Sequence, residues 1–207
     1  ADVDELRAAM APRLEALQRR IEAACAAAGR APDDVTLVAV SKRHPPAAIR
    51  AAYALGLRDF GENYVQELAG KVTALADLPG LRWHAIGPLQ RNKMQQVVGR
   101  AALVHTLSAK PAHIRRMGSL AVQAGVQQRV LLQVQIGDED SKAGCRPADA
   151  PSAAAQIAAT EGLAFGGLMT IPPPAESAAQ ARAWFDALAT CRDAVAAALG
   201  RAPASLA

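Results

Sequence analysis

Lys42 stands where an apolar run ends. The stretch Leu37-Val38-Ala39-Val40-Ser41-Lys42 is rich in strand-forming residues and closes on an ammonium group, and Arg43-His44-Pro45-Pro46 then fits the start of a helix. An amine at the C-terminal tip of a buried strand is partly desolvated, which lowers its pKa and leaves a fraction of it nucleophilic. A nucleophilic amine can form a Schiff base with an aldehyde. The plainer reading is a lysine that marks where a strand meets water. Other polar residues gather where further apolar runs end. Asn63 follows Asp59-Phe60-Gly61-Glu62, and its amide suits either a helix cap or a ligand lying over the strand ends. Gly87, after Trp83-His84-Ala85-Ile86, permits close backbone approach, and Arg91, Asn92 and Lys93 open a helix where an anion would be welcome. Thr170 follows Gly166-Gly167-Leu168-Met169, and two glycines weaken a strand unless something must come close. Lys142, in the polar segment Gly137 to Cys145, is either a second reactive amine or an ion-pair partner of Asp138, Glu139 or Asp140.

Several chemistries are excluded by what the chain lacks. There is no P-loop, no G-x-S-x-G, no H-E-x-x-H and no dinucleotide fingerprint. His44, His84, His105 and His113 lack metal-ligand spacing, so no metal is expected. Cys25, Cys145 and Cys191 are odd in number and far apart, which argues against a disulfide framework and for a reducing, cytoplasmic setting. The net charge of +4 is scattered rather than clustered, so neither nucleic acid nor a membrane is expected as a partner.

The elements that must position these residues alternate. A long amphipathic helix over residues 2–29, with Leu6, Met10, Leu14, Leu17 and Ile21 on one stripe, comes first. Strands are then expected at 35–40, 58–60, 82–86, 103–106, 129–136 and 163–169, each followed by a helix. Strict βα alternation implies parallel strands with right-handed crossovers, as an open doubly wound sheet or a (β/α)8 barrel. Both folds place their sites at the C-terminal ends of the strands, where the polar residues above lie.

Five motifs in order narrow the choice: Val40-Ser41-Lys42, Asp59 to Glu67 (DFGENYVQE), Trp83 to Lys93 (WHAIGPLQRNK), Ser141-Lys142-Ala143-Gly144-Cys145 and Gly167-Leu168-Met169-Thr170-Ile171-Pro172. With them the chain resembles the pyridoxal phosphate homeostasis proteins, the YggS/PROSC family, from about residue 5 onward. The resemblance implies an α/β fold, a (β/α)8 TIM barrel of the alanine racemase N-terminal-domain type, without that enzyme's second domain. It implies that Lys42 holds pyridoxal 5′-phosphate as an aldimine. It places Asn63, Ile86, Gly87, Met169 and Thr170 near the cofactor, with Lys142 as a possible exchange lysine. It implies a protein that buffers the cofactor or delivers it to apo-enzymes, without established turnover. Full-length members are expected to be monomers.

Where the family pattern has histidine in many members, this chain has Pro88. The pattern also continues past the sixth helix with two further β/α units and most of the phosphate cradle. Residues 1–207 therefore read as one PLP-binding barrel domain, C-terminally incomplete, and by themselves are expected to hold the cofactor weakly. Two other functions stay open. One is a racemase-like enzyme acting on amino acids, which needs two bases on opposite faces of its substrate, and only Lys42 can be named. The other is an aldolase-like barrel that uses the Lys42 imine without a cofactor.

Overall fold

A computed structural model describes residues 2–137 and 143–207. They fall into two compact units, residues 1–84 and 85–207. The six strands stand in chain order, β1-β2-β3 in the first unit and β4-β5-β6 in the second, with β3 running one residue past the division.

In the first unit, α1 (Val3–Ala28) starts at Asp2, whose carboxylate accepts from the Val3 N–H, and ends at Gly29, which takes the left-handed conformation at φ 66°. The apolar stripe is at most half-buried. Leu17 is exposed, and only Cys25 of this helix is fully buried. Met10, Leu14 and Leu17 of the stripe line a groove of about 390 Å³ together with Leu37, Ala48, Ile49 and Phe60. β1 (Ala39–Val40) pairs in parallel with β2 (Asp59–Glu62), Ala39 opposite Phe60 and Val40 opposite Gly61. The six-residue buried strand expected over 35–40 is thus a two-residue strand. Val35 to Val38 have no ladder partner among the described residues, and Val40 is 52% exposed. β-propensity marks residues that fit a pleated surface but does not supply the neighbour they need. α2 (Pro46–Ala54) has proline in its first turn and buries Ala48, Ile49, Ala51 and Ala52. α3 (Val65–Ala74) buries Leu68 and Lys71, three residues apart and so on one face. β3 (Arg82–Ala85) closes the unit.

The second unit contains β4 (Leu103–Leu107), β5 (Gln128–Gln133) and β6 (Leu163–Met169), joined by parallel β4–β5 and β5–β6 ladders. α4 (Pro111–Gln123) and α5 (Ala150–Ala158) follow β4 and β5. α6 (Ala178–Leu199) is capped by Ser177, whose hydroxyl accepts from the Gln180 N–H at 3.2 Å. Leu107, Ile114, Met117, Leu132 and Ile157 are fully buried and form its core. The helix that Arg91, Asn92 and Lys93 are expected to open is instead a six-residue 3-10 segment, Arg91–Gln96. Such short 3-10 turns serve as connectors. The two glycines of β6 have a visible reason. Gly167, at φ 140°, lies against the backbone of Ala207, whose N–H donates to the Gly166 carbonyl at 2.8 Å and whose carbonyl accepts from the Leu168 N–H at 3.0 Å.

The architecture is the expected α/β pattern with a parallel sheet. Six strands are present among the described residues, where a closed barrel of this type has eight. No helix among the described residues is long and apolar enough to cross a membrane.

Gly118 tests the packing of α4. A Cβ there would meet Thr160 Cγ2 at 2.5 Å and the Glu161 carbonyl oxygen at 2.7 Å. Alanine in a helix interior ordinarily gains about 1 kcal/mol over glycine, but overpacking against backbone costs roughly 1–3 kcal/mol. Gly118→Ala is therefore expected to lower the thermal midpoint. A raised midpoint would show that the turn at Thr160 yields freely.

Candidate functional site

Two polar clusters are built on β2, one at each end. At its C-terminal end, Ser41 follows β1 and its N–H donates to the Gly61 carbonyl at 3.0 Å, so the chain just before Lys42 is still tied to the sheet. The Ser41 hydroxyl donates to Glu62 Oε1 at 2.5 Å. Lys71 Nζ reaches over from α3 and makes three bonds, to the Ser41 carbonyl at 2.6 Å, to Glu62 Oε1 at 2.7 Å and to Glu67 Oε1 at 2.7 Å. That uses all three donors of an ammonium group. The Lys71 and Glu62 side chains are buried, whereas Glu67 is partly open. Glu67 Oε1 also accepts from the Arg43 N–H at 2.6 Å. Burial pushes the Glu67 carboxyl up, but the bonds from Lys71 and Arg43 outweigh it, and its pKa lies below the usual range. Arg43 has φ 63°, the only left-handed non-glycine among the described residues.

Lys42 itself lies in the turn between these anchored neighbours and is exposed. The desolvation expected at the tip of a buried strand is therefore not there. β1 is two residues long and half-open, and among the described residues the Lys42 side chain is left exposed. Among the described residues the Lys42 amine has no hydrogen-bond or ion-pair partner. Asn63 sits at the bend after β2 and is half-buried. It does not cap α3, because the N-cap position belongs to Tyr64, which makes no side-chain cap bond.

At the other end of β2, Asp59 is buried. It binds the Arg82 guanidinium in two-pronged fashion and the His84 Nε2 at 2.9 Å. Burial raises the Asp59 carboxyl, but the bonds from Arg82 and His84 prevail, and its pKa falls below the ordinary value of 3.8.

In the second unit, the remaining residues of the expected site fall on strand ends. Ile86 and the buried Gly87 follow β3, and the Gly87 carbonyl accepts from the Thr106 hydroxyl at 2.6 Å. Met169 ends β6, and its carbonyl accepts from the Val134 N–H at 2.8 Å. Thr170 comes next, and its hydroxyl oxygen is buried without a partner among the described residues. A cavity of about 190 Å³ opens here, lined by Ile86, Pro88, Thr106, Gln133, Ala143 and Ile171. Lys142 lies outside the described residues. Arg91, Asn92 and Lys93 fall in the short 3-10 segment. Cys145 is no nucleophile, since burial, with Cys191 adding, pushes its thiol up to about 11. No group of three metal-binding side chains exists among the described residues.

The model of the alanine racemase N-terminal domain matches residues 13–207. The pyridoxal phosphate homeostasis protein of Pseudomonas aeruginosa is 48% identical over 163 residues, covering 78% of this chain and 70% of that protein. Its counterpart in Aquifex aeolicus is 37% identical over 181 residues, covering 87% and 78% respectively. Among solved structures, PipY of Synechococcus elongatus PCC7942 with PLP bound superposes with a TM-score of 0.73 at 37% identity, over 90% of this chain and 84% of that one. The fold is thus that of an alanine racemase N-terminal domain. Within that class, the chain belongs to the family of pyridoxal phosphate homeostasis proteins.

Sequence reasoning missed Lys71 and Glu67. Their i,i+4 spacing was a signal, but the nearest plain reading was a solvated helix pair. The Asp59 cluster yields a pH prediction. A carboxyl with a depressed folded pKa contributes stability that is full above its unfolded value, near 3.8, and is lost as pH falls through the lower folded value. Asp59→Asn should cost about 1–2 kcal/mol at pH 7, the lower part of the charged hydrogen-bond range because Arg82 is half-exposed. The gap between wild type and variant should begin to narrow below about pH 4 and close only as pH falls through the lower folded value. Thermal midpoints measured from pH 7 to pH 3 check this, and a gap that stays constant would remove Asp59 from the acid response.

Proposed function

We propose that this chain binds pyridoxal 5′-phosphate through Lys42 and holds it for transfer rather than for catalysis. The carrying observation is the contrast between its two neighbouring lysines. Lys71 has every donor engaged in a buried network, while Lys42 is anchored on both sides in its backbone and has a free, exposed amine among the described residues. When bound, the cofactor supplies an aldehyde, the electrophile that such an amine attacks. In the first unit the Lys42 amine and the half-buried amide of Asn63 are groups of the kind the cofactor needs. In the second unit, taken by itself, the backbone at Ile86 and Gly87 and the Thr170 hydroxyl, buried without a partner among the described residues, are polar groups of the same kind. An exposed amine also leaves water and competing amines free to displace what is bound, which suits release more than a sequestered reaction. The names of the relatives support the same reading.

After incubation with pyridoxal 5′-phosphate and borohydride, one fixed adduct is expected, mapping to Lys42, and Lys42→Ala should lose it with its unfolding free energy within about 0.5 kcal/mol of wild type, as for an exposed position. Equal labelling at Lys110 or Lys93 would overturn the assignment.

The family model takes its name from an enzyme, which favours racemase-like turnover as the second reading. Wild-type protein with bound cofactor is expected to exchange the α-proton of alanine no faster than free cofactor does. Steady turnover well above that background would favour the enzyme.

A further inference from the structure

We infer that Lys71 and Glu67 form a clamp that positions Lys42, so that the reactive amine is aimed by two residues on α3 that do not themselves react. The inference rests on the proposed role of Lys42. Lys71 Nζ holds the carbonyl of Ser41, the residue before Lys42, at 2.6 Å. Glu67 Oε1 holds the N–H of Arg43, the residue after it, at 2.6 Å. The two clamping groups are bonded to each other at 2.7 Å, so both peptide groups flanking Lys42 answer to one unit. That unit is fixed from below by Glu62, a fully buried carboxylate on β2 that binds Lys71 and the Ser41 hydroxyl through one oxygen.

The turn needs holding. Arg43 at φ 63° is in a left-handed conformation that is unfavourable for a non-glycine residue of its kind. Such strain persists only where the surroundings over-determine it. Exposed lysines otherwise sample many rotamers from a mobile backbone. Here the side chain is free, but the backbone it departs from is fixed in position and direction. A fixed departure point is what an amine needs to meet an aldehyde repeatedly in one geometry.

The clamp separates rate from affinity. It touches the peptide groups around Lys42 and offers nothing to a ligand, since Lys71 has no donor left. Loss of the clamp should therefore slow the condensation at Lys42, in which the amine nitrogen replaces the aldehyde oxygen and that oxygen leaves as water with the two amine protons, with little change in the concentration of pyridoxal 5′-phosphate that half-saturates it.

Glu67→Leu is the variant of choice, because Glu67 is partly open and its loss leaves the buried Lys71–Glu62 pair in place. Glu67→Gln is its conservative control, since the amide oxygen can still accept from Arg43 and Lys71. Two readouts are needed. Amide hydrogen exchange without cofactor reads the clamp itself, and the Arg43 amide is expected to be protected in wild type and to exchange at least tenfold faster in Glu67→Leu. Stopped-flow absorbance with pyridoxal 5′-phosphate reads the consequence. The limiting rate is expected to fall about tenfold in Glu67→Leu, the half-saturating concentration to change less than twofold, and Glu67→Gln to recover most of the rate. An unprotected Arg43 amide in wild type, or faster exchange with an unchanged limiting rate, would overturn the clamp. A wild-type protein that forms no adduct at Lys42, whatever its exchange pattern, would instead sink the reading of Lys42 on which the clamp depends.

Discussion

The buried pair of Lys71 and Glu62 is the constraint around which the first unit is organised. Removing two opposite charges from water costs several kcal/mol per ion, and their attraction repays that only with good geometry and further hydrogen bonds. Lys71 meets the condition with three acceptors for three donors. Glu62 meets it halfway, since Oε1 takes two bonds and Oε2 takes none among the described residues. A pair of apolar side chains in the same space would often be as stable or more so. What they could not do is bond a backbone carbonyl and, through Glu67, a backbone N–H two residues along. The polar pair contributes directional bonds to a turn that apolar packing would leave loose, and that turn carries Lys42.

The same contrast explains why the exposed lysine does not weaken the proposed reading. Desolvation is one route to a reactive amine, and the sequence suggested it because an apolar run precedes Lys42. In the structure the run is half-open, and order in the backbone takes the place of burial around the side chain. An enzyme that builds up charge in its transition state gains from excluding water. A protein that must give its cargo back gains from letting water and amines in. On the proposed reading, the exposure of Lys42 suits the second task.

Periodicity made most of the fold legible. β6 occupies Leu163–Met169 as its pattern indicates, and α2, α3 and α4 lie within one residue at each end of the 46–55, 64–75 and 111–124 that the sequence pattern indicates. These elements bury one face or stripe, and that face is written in local spacing. The departures share a cause. β1 shrinks because a strand exists only where a neighbour pairs with it. Asn63 has a good capping side chain, but the N-cap of α3 falls one residue later, at Tyr64. Lys42 could be named from its place at the end of an apolar run. Lys71 could not, because its partners Ser41 and Glu62 lie 30 and 9 residues away, and a lysine on a helix gives no local sign of which face will be covered. Thr170 was legible as a hydroxyl at a strand end, but its lack of a partner is a fact of packing alone.

β2 carries both kinds of work along four residues. All four are buried, as in strands of parallel sheets covered on both faces. Successive side chains alternate, so Asp59 and Glu62 point to opposite faces as well as standing at opposite ends. Asp59, at the N-terminal end, binds Arg82 and His84 on the neighbouring strand β3 and so ties strand to strand. Glu62, at the C-terminal end, binds a side chain from α3 and the residue before Lys42, and so ties helix and strand to a turn. In folds of alternating strands and helices, the N-terminal rim is where charge serves stability and the C-terminal rim where it serves the site. The two carboxylates follow that division although both are buried and both are paired. What distinguishes them is the group at the far end of each network. For Asp59 that group is another part of the sheet, and for Glu62 it is the backbone of Ser41 and Arg43 on either side of Lys42.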